Sequence, residues 1–169
     1  MSGQGIAQRK VFRVMRRRIG TLLALALLAP AGAAAQGNAA MVGEWVLDEA
    51  RSQTGRGRAG GPGPTQMIVK VAPTEVVVIS DTGVNRARET TVYKLDGGEH
   101  TVPGPLSWNS VARAKWEGGT LDVTIARIIE GPDGPVRIEM KDRYTVENDV
   151  LTIERTQGPQ TWRSVFTRR

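Results

Sequence analysis

The stretch Val136–Val146, VRIEMKDRYTV, decides the fold. Its even positions are Val136, Ile138, Met140, Asp142, Tyr144 and Val146; its odd positions are Arg137, Glu139, Lys141, Arg143 and Thr145. Successive side chains of a strand point to opposite faces. The segment therefore has one apolar face, interrupted only by Asp142, and one wholly polar face. A period of two with a buried and a wet side marks an antiparallel strand.

The same alternation recurs on both sides of this segment. Short runs rich in Val, Ile, Thr and aromatics lie between clusters of Gly, Pro, Asn and Asp, with no amphipathic helical stripe between them. Strands are predicted at Val42–Leu47, Gln66–Ala72, Glu75–Asp81, Arg88–Leu95, Glu99–Val102, Trp108–Trp116, Thr120–Ile128, Val136–Val146, Val150–Thr156 and Thr161–Arg168. Pro103, Gly104 and Pro105 cut the fifth short. Pro73–Thr74, Asp96–Gly98, Gly118–Gly119 and Glu147–Asp149 read as tight turns. Short links join antiparallel neighbours. The fold class expected is all-β, an antiparallel up-and-down meander forming a barrel or half-barrel of about 8–10 strands.

The turns set registers. With Glu117 opposite Thr120, Lys115 falls opposite Asp122. With Val146 opposite Leu151, Arg143 meets Glu154 outside and Asp142 meets Arg155 inside. Opposite charges directly across a strand pair add roughly 0.2–1 kcal/mol each.

At the amino terminus, Arg9, Lys10, Arg13, Arg16, Arg17 and Arg18 precede an apolar run, Leu22–Ala29, which ends at Pro30 and the small residues Ala31–Ala35. A basic start, a short apolar middle and an A-x-A end read as a cleavable signal peptide over residues 1–35. The run is far shorter than the about 20 apolar residues a span requires, so no stable membrane anchor is expected after cleavage. Met15 begins a complete signal of its own, and Arg16–Arg18 resembles part of a twin-arginine signal. A Sec-type route to the periplasm or beyond is the first expectation, with the twin-arginine route as the alternative.

Export changes the charge. Six of the 23 basic residues and none of the 17 acidic ones lie in residues 1–35, so residues 36–169 carry 17 of each. The high pI belongs to the leader, and no nucleic-acid partner is expected of a neutral domain. Residues 36–169 have the length of a single β domain, and with no cysteine it holds without disulfides.

Residues 51–64, RSQTGRGRAGGPGP, read as a flexible Gly/Pro/Arg loop in which Arg51, Arg56 and Arg58 could contact an anion. No Gly-Lys-Ser/Thr follows, so it is not a P-loop. His100 is the only histidine, which leaves no metal-ligand set, and neither metal nor cofactor is expected. There is no G-x-S-x-G and no H-E-x-x-H, and no catalytic residue is assigned. More telling are charges on otherwise apolar faces. Leu121, Val123 and Ile125 lead to Arg127; Leu151 and Ile153 lead to Arg155; Asp142 interrupts its own strand. Ionised groups are costly to bury unless paired. Either Asp142 and Arg155 neutralise each other with Arg127 at a barrel rim, or the three form a polar patch that holds a carboxylate or similar head group in a cavity.

Gly43-Glu44-Trp45 in the first strand, with Arg163 or Arg168 in the last, resembles lipocalins, whose first strand carries G-x-W and whose last strand supplies an arginine over that tryptophan. The wider pattern (GEWVLDEARS, YKLDGGE, AKWEGGTLDV, LTIERTQGP, VFTRR) is similar to small secreted bacterial proteins described as lipocalin-like, over nearly all of residues 36–169. Asp142-Arg143-Tyr144 is a loose echo of the lipocalin T-D-Y segment, and no helix follows the last predicted strand. The resemblance implies that Trp45 and a C-terminal arginine close the barrel bottom, and that the opposite mouth, under the 51–64 loop, admits ligand. The leading expectation is non-catalytic binding or carriage of a small apolar or amphipathic ligand. Its lining would come from Tyr93, Trp116, Ile125, Arg127, Met140, Asp142 and Tyr144, with Arg155 as the partner of Asp142. The alternatives are a structural or protein-interaction module filled by its own side chains and, third, an enzyme on the same scaffold. No protein partner is indicated.

Overall fold

The computed structural model describes residues 39–53, 63–82, 87–103 and 110–169. The signal peptide read over residues 1–35, Trp108, Arg56 and Arg58 lie outside the described residues. Ten strands follow a single helical turn at residues 39–41. They are β1 (Gly43–Leu47), β2 (Gln66–Ala72), β3 (Glu75–Thr82), β4 (Ala87–Lys94), β5 (His100–Val102), β6 (Ser110–Glu117), β7 (Thr120–Gly131), β8 (Gly134–Glu147), β9 (Val150–Gln157) and β10 (Gln160–Arg168).

All ten belong to one antiparallel sheet, ordered β4-β3-β2-β1-β10-β9-β8-β7-β6-β5. Every neighbour pair but one is consecutive in the chain; the exception is β1 with β10. The sheet curls until β4 lies against β5 and β6 without a hydrogen-bonded ladder between them. The result is a nearly closed barrel, the all-β meander that the alternation predicts.

The expected registers hold. Glu117 faces Thr120 and Lys115 faces Asp122; Val146 faces Leu151, Arg143 faces Glu154 and Asp142 faces Arg155. The outer charges choose other partners. Arg143 donates from Nε to Asp122 at 2.8 Å rather than to Glu154, and Lys115 bonds Glu117. Arg143 stands directly opposite Asp122 on β7 as well as Glu154 on β9, and Lys115 reaches the next residue on its own face of β6. The β8–β9 turn places Asn148 and Asp149 at φ 51° and 58°. Asn and Asp tolerate that region, and two such residues in succession match the twist of a hairpin.

The longest hairpin corrects the sequence reading. Gly131, Pro132, Gly134 and Pro135 look like breakers, so β7 was expected to end at Ile128 and β8 to begin at Val136. The two strands instead pair as far as Gly131 opposite Gly134, and Pro132-Asp133 is the whole turn. The extension carries Val136 out of the barrel, where it is 53% exposed, so the apolar face of residues 136–146 is not buried along its full length.

The core fills one end. Trp45, Met41, Phe166, Leu121, Leu151, Val69 and Val76 are fully buried there, and the turns at Pro73–Thr74, Gly118–Gly119 and Asn148–Asp149 all lie at that end. Arg168 covers Trp45 with its guanidinium carbon 4.4 Å from the ring centroid. It donates to the carbonyls of Val42 and Ala40, both at 2.7 Å, and to Asp149 at 2.9 Å. Trp45 donates its indole N–H to Met41 O at 3.0 Å. Of the two arginines considered from the sequence, Arg168 therefore packs on the tryptophan, while Arg163 pairs with Gln53. Gly43, at φ +152°, passes so close to the Arg168 guanidinium that a Cβ there would collide with it.

The opposite end carries the β7–β8 and β9–β10 turns and the connection from β1 to β2. The first residues of the predicted loop are anchored there. Arg51 donates to Asp48 at 2.5 Å, and the amide of Gln53 donates to Arg163 O at 2.7 Å. Residues 54–62 of that loop lie outside the described residues.

Candidate functional site

Above the packed end, the inward face changes character. Rows of cross-strand neighbours run Trp116–Leu121–Tyr144–Ile153, then Ala114–Val123–Asp142–Arg155, then Ala112–Ile125–Met140, then Ser110–Arg127–Ile138. Alternation on four consecutive strands thus stacks one acid, two bases and a hydroxyl within three rows.

Asp142 is the centre of this layer. Its side chain has no solvent exposure, and it accepts from Arg155 Nε at 2.7 Å and from Nη2 at 2.5 Å. A bidentate fork of this kind is among the strongest side-chain interactions, and the paired carboxylate holds the Arg155 guanidinium well above its ordinary range. Arg155 stands inside the barrel, yet 47% of its side-chain surface remains accessible. A group in that position is reached by solvent rather than sealed by packed neighbours.

Two phenols form the floor. Tyr93 reaches in from β4 and hydrogen-bonds Tyr144 on β8, a link that crosses the lumen between strands with no ladder in common. Burial, reinforced by the charge of Asp142, pushes Tyr93 up to about 12. Burial first, then Tyr93 and Asp142, drives Tyr144 well above its ordinary value. Both rings are neutral at physiological pH.

Arg127 completes the charged set. Its guanidinium is half-buried, and desolvation and then the like charge of Arg155 both pull its pKa down. Beside it, the Ser110 hydroxyl is buried and meets no hydrogen-bond partner among the described residues. An unsatisfied buried hydroxyl is costly unless something meets it.

Of the sequence-derived candidates, Tyr93, Asp142, Tyr144 and Arg155 come together directly, with Arg127 within electrostatic reach. Met140 and Ile125 pair with each other in the row between Asp142 and Arg127. Trp116 stands in the Tyr144 row, opposite Leu121 and beside the Gly118 turn, and packs on the same buried cluster as Tyr93, Tyr144 and Ile125. Ser110 was missed by sequence reading. Its parity with Ala112, Ala114 and Trp116 was the available signal, but a small hydroxyl leaves no mark on a hydropathy pattern.

Two concavities, of about 170 and 270 Å³, lie elsewhere, on the outward face of β1–β4 around Gln66, Asp81 and Arg88. Asp81 is committed there. Partial burial opposes its ionisation, but bonds from Thr65 Oγ1 and the Thr65 and Gln66 amides win, so its pKa falls.

No family model and no curated protein matches this chain. Solved structures do. Apo lipid binding protein 8 from Caenorhabditis elegans superposes with a TM-score of 0.57 at 13% identity, covering 78% of this chain and 96% of that one. Secretory abundant heat soluble protein 4 from Ramazzottius varieornatus gives 0.58 at 14%, covering 76% and 94%. The Schistosoma mansoni fatty acid binding protein in complex with arachidonic acid gives 0.58 at 14%, covering 79% and 98%. At these identities the likeness is one of fold: a lipocalin-like antiparallel barrel.

Proposed function

We propose that the protein binds or carries, without catalysis, a small and largely apolar molecule whose polar head meets Arg155 and Arg127 in the barrel lumen. The observation that carries this reading is the position of Arg155: locked to a fully buried carboxylate, inside the barrel, and still half accessible. A side chain used only to fill a core would be covered. Met140, Ile125 and Ile138 supply apolar wall next to it, and Ser110 a spare hydroxyl. Such a mixture of mostly apolar lining and a few convergent polar groups suits an amphipathic ligand. The fold likeness to lipid- and fatty-acid-binding barrels supports the same reading. We place its action in the cell envelope, on the strength of the leader in residues 1–35.

Native mass spectrometry of protein purified gently from its own envelope tests the reading, together with calorimetric titration of palmitate into delipidated protein. A retained small molecule, or palmitate binding that Arg127→Met weakens, is the expected result. No retained mass and no palmitate heat would overturn it. They would leave the second reading, a module filled by its own side chains, which the dense packing of the Trp45 end favours. Amino-terminal sequencing of the envelope form checks the leader, with Gln36 as the expected first residue.

A further inference from the structure

We propose that the protruding part of the β7–β8 hairpin is a ligand-length selector: its inward face, Ile129 and Val136 with Ile138, seats the apolar tail of the lumenal ligand outside the barrel rim. The inference rests on the lumenal binding proposed above. Among the described residues, β7 last pairs with β6 at Arg127–Ser110, and β8 last pairs with β9 at Lys141–Thr156. Among the described residues, the two strands beyond those points pair only with each other, as far as Gly131 and Gly134. Among the described residues the ribbon therefore extends past its neighbours' ladders as a two-stranded tongue.

Its inward face is the continuation of the lumen wall. Arg127 pairs with Ile138 and Ile129 pairs with Val136, in the same parity as Val123, Ile125, Met140 and Asp142. Val136 is 53% exposed, an unusual place for a valine that ends an otherwise buried stripe. Along β8 this face carries no charge from Met140 through Ile138 to Val136, and apolar surface left exposed at the end of such a stripe marks an interaction site. Other occupants fit less well. The segment from Ile128 to Val136 contains Glu130 and Asp133 and no basic residue, so an anionic lipid surface would be repelled. A second copy adding along the β8 edge meets Pro135, which has no N–H to offer, and the charged Arg137 and Glu139. A neutral hydrocarbon tail meets neither obstacle.

The geometry sets a length. From Asp142 to Val136 is six residues of β8, about 20 Å at roughly 3.3 Å per residue. A long-chain amphiphile with its head at Arg155 spans that distance, and a short one ends inside the rim. The ribbon then discriminates by length, while the head site is common to both.

The test is calorimetric titration of full-length protein with palmitate and with octanoate, in the wild type, Val136→Lys and Ile128→Lys. Ile128 lies on the outward face of the same tongue and is 52% exposed, so it controls for charge and fold. Losing the contact of one half-buried valine with a tail lowers the palmitate-to-octanoate affinity ratio about tenfold. That ratio is expected to fall in Val136→Lys and to hold in Ile128→Lys. An unchanged ratio in Val136→Lys overturns the tongue's role, and so does an equal fall in both variants. Wild-type protein that binds neither acid fails the lumenal reading itself, and the tongue's role falls with it.

Discussion

Arg155→Met is expected to destabilise the protein far more than Asp142→Asn, although both break the same ion pair. The asymmetry comes from exposure: the Asp142 side chain is wholly buried, whereas 47% of the Arg155 side chain is accessible. Removing Arg155 strands a buried carboxylate without its two donors, a loss of about 3–5 kcal/mol. Removing the charge of Asp142 leaves a guanidinium that can turn into the lumen and be hydrated, while the asparagine oxygen still accepts one bond. That change should cost about 1–2 kcal/mol. For a domain of this size a kilocalorie corresponds to roughly 4 °C in Tm. Urea unfolding followed by the fluorescence of the four tryptophans, with scanning calorimetry, reads both variants and the double variant. The double variant should lie close to Asp142→Asn, because removing Arg155 costs little once the carboxylate is gone. An Arg155→Met no worse than Asp142→Asn would refute the picture of a buried anion held by a solvent-reached cation.

The two tyrosines offer a spectroscopic check: no tyrosinate absorbance should appear in the folded protein near pH 10, because Tyr93 is pushed up to about 12 and Tyr144 is raised too. Since both folded values exceed those of the unfolded chain, their stabilising contribution is complete below pH 10 and is lost as pH rises toward 12. A normal titration midpoint in folded protein would contradict the buried pair. Arg168→Lys should lower Tm by several degrees, since an ammonium cannot both cap the Val42 and Ala40 carbonyls and lie flat over Trp45. A wild-type Tm and unchanged tryptophan fluorescence would count against that role. Asp122→Asn should cost less than about 1 kcal/mol, because its bond to Arg143 lies on the wet face. That bond lowers the Asp122 pKa, so the small benefit is present near neutrality and disappears on acidification. A loss of several kilocalories in urea titration at neutral pH would show that the outer charges matter more than their exposure allows.

How far the sequence carried can be judged element by element. Strand alternation around Val136–Val146, with glycine and asparagine turns, placed all ten strands and the Asp142–Arg155 register, because a period of two admits no slip without inverting a face. It failed at Gly131–Pro135, where the residues that break a long strand are also those that make a two-residue turn. Parity chooses a face, and only closure of the sheet shows which rows face a lumen and which face a neighbour. The Tyr93–Tyr144 bond joins β4 to β8 across the barrel, a meeting that no local pattern encodes.

The pairing of β1 with β10 has a kinetic consequence. Most consecutive strands close over a few residues, but Trp45 meets Arg168 across more than a hundred. Loop-closure entropy makes that step about 3 kcal/mol harder than a hairpin. The β1–β10 seam is therefore the last ladder to zip and the first to part. The Trp45–Arg168 clasp sits on this seam, so it works as a latch that slows unzipping once the barrel is shut. Weakening it should speed unfolding while leaving the folding rate nearly untouched.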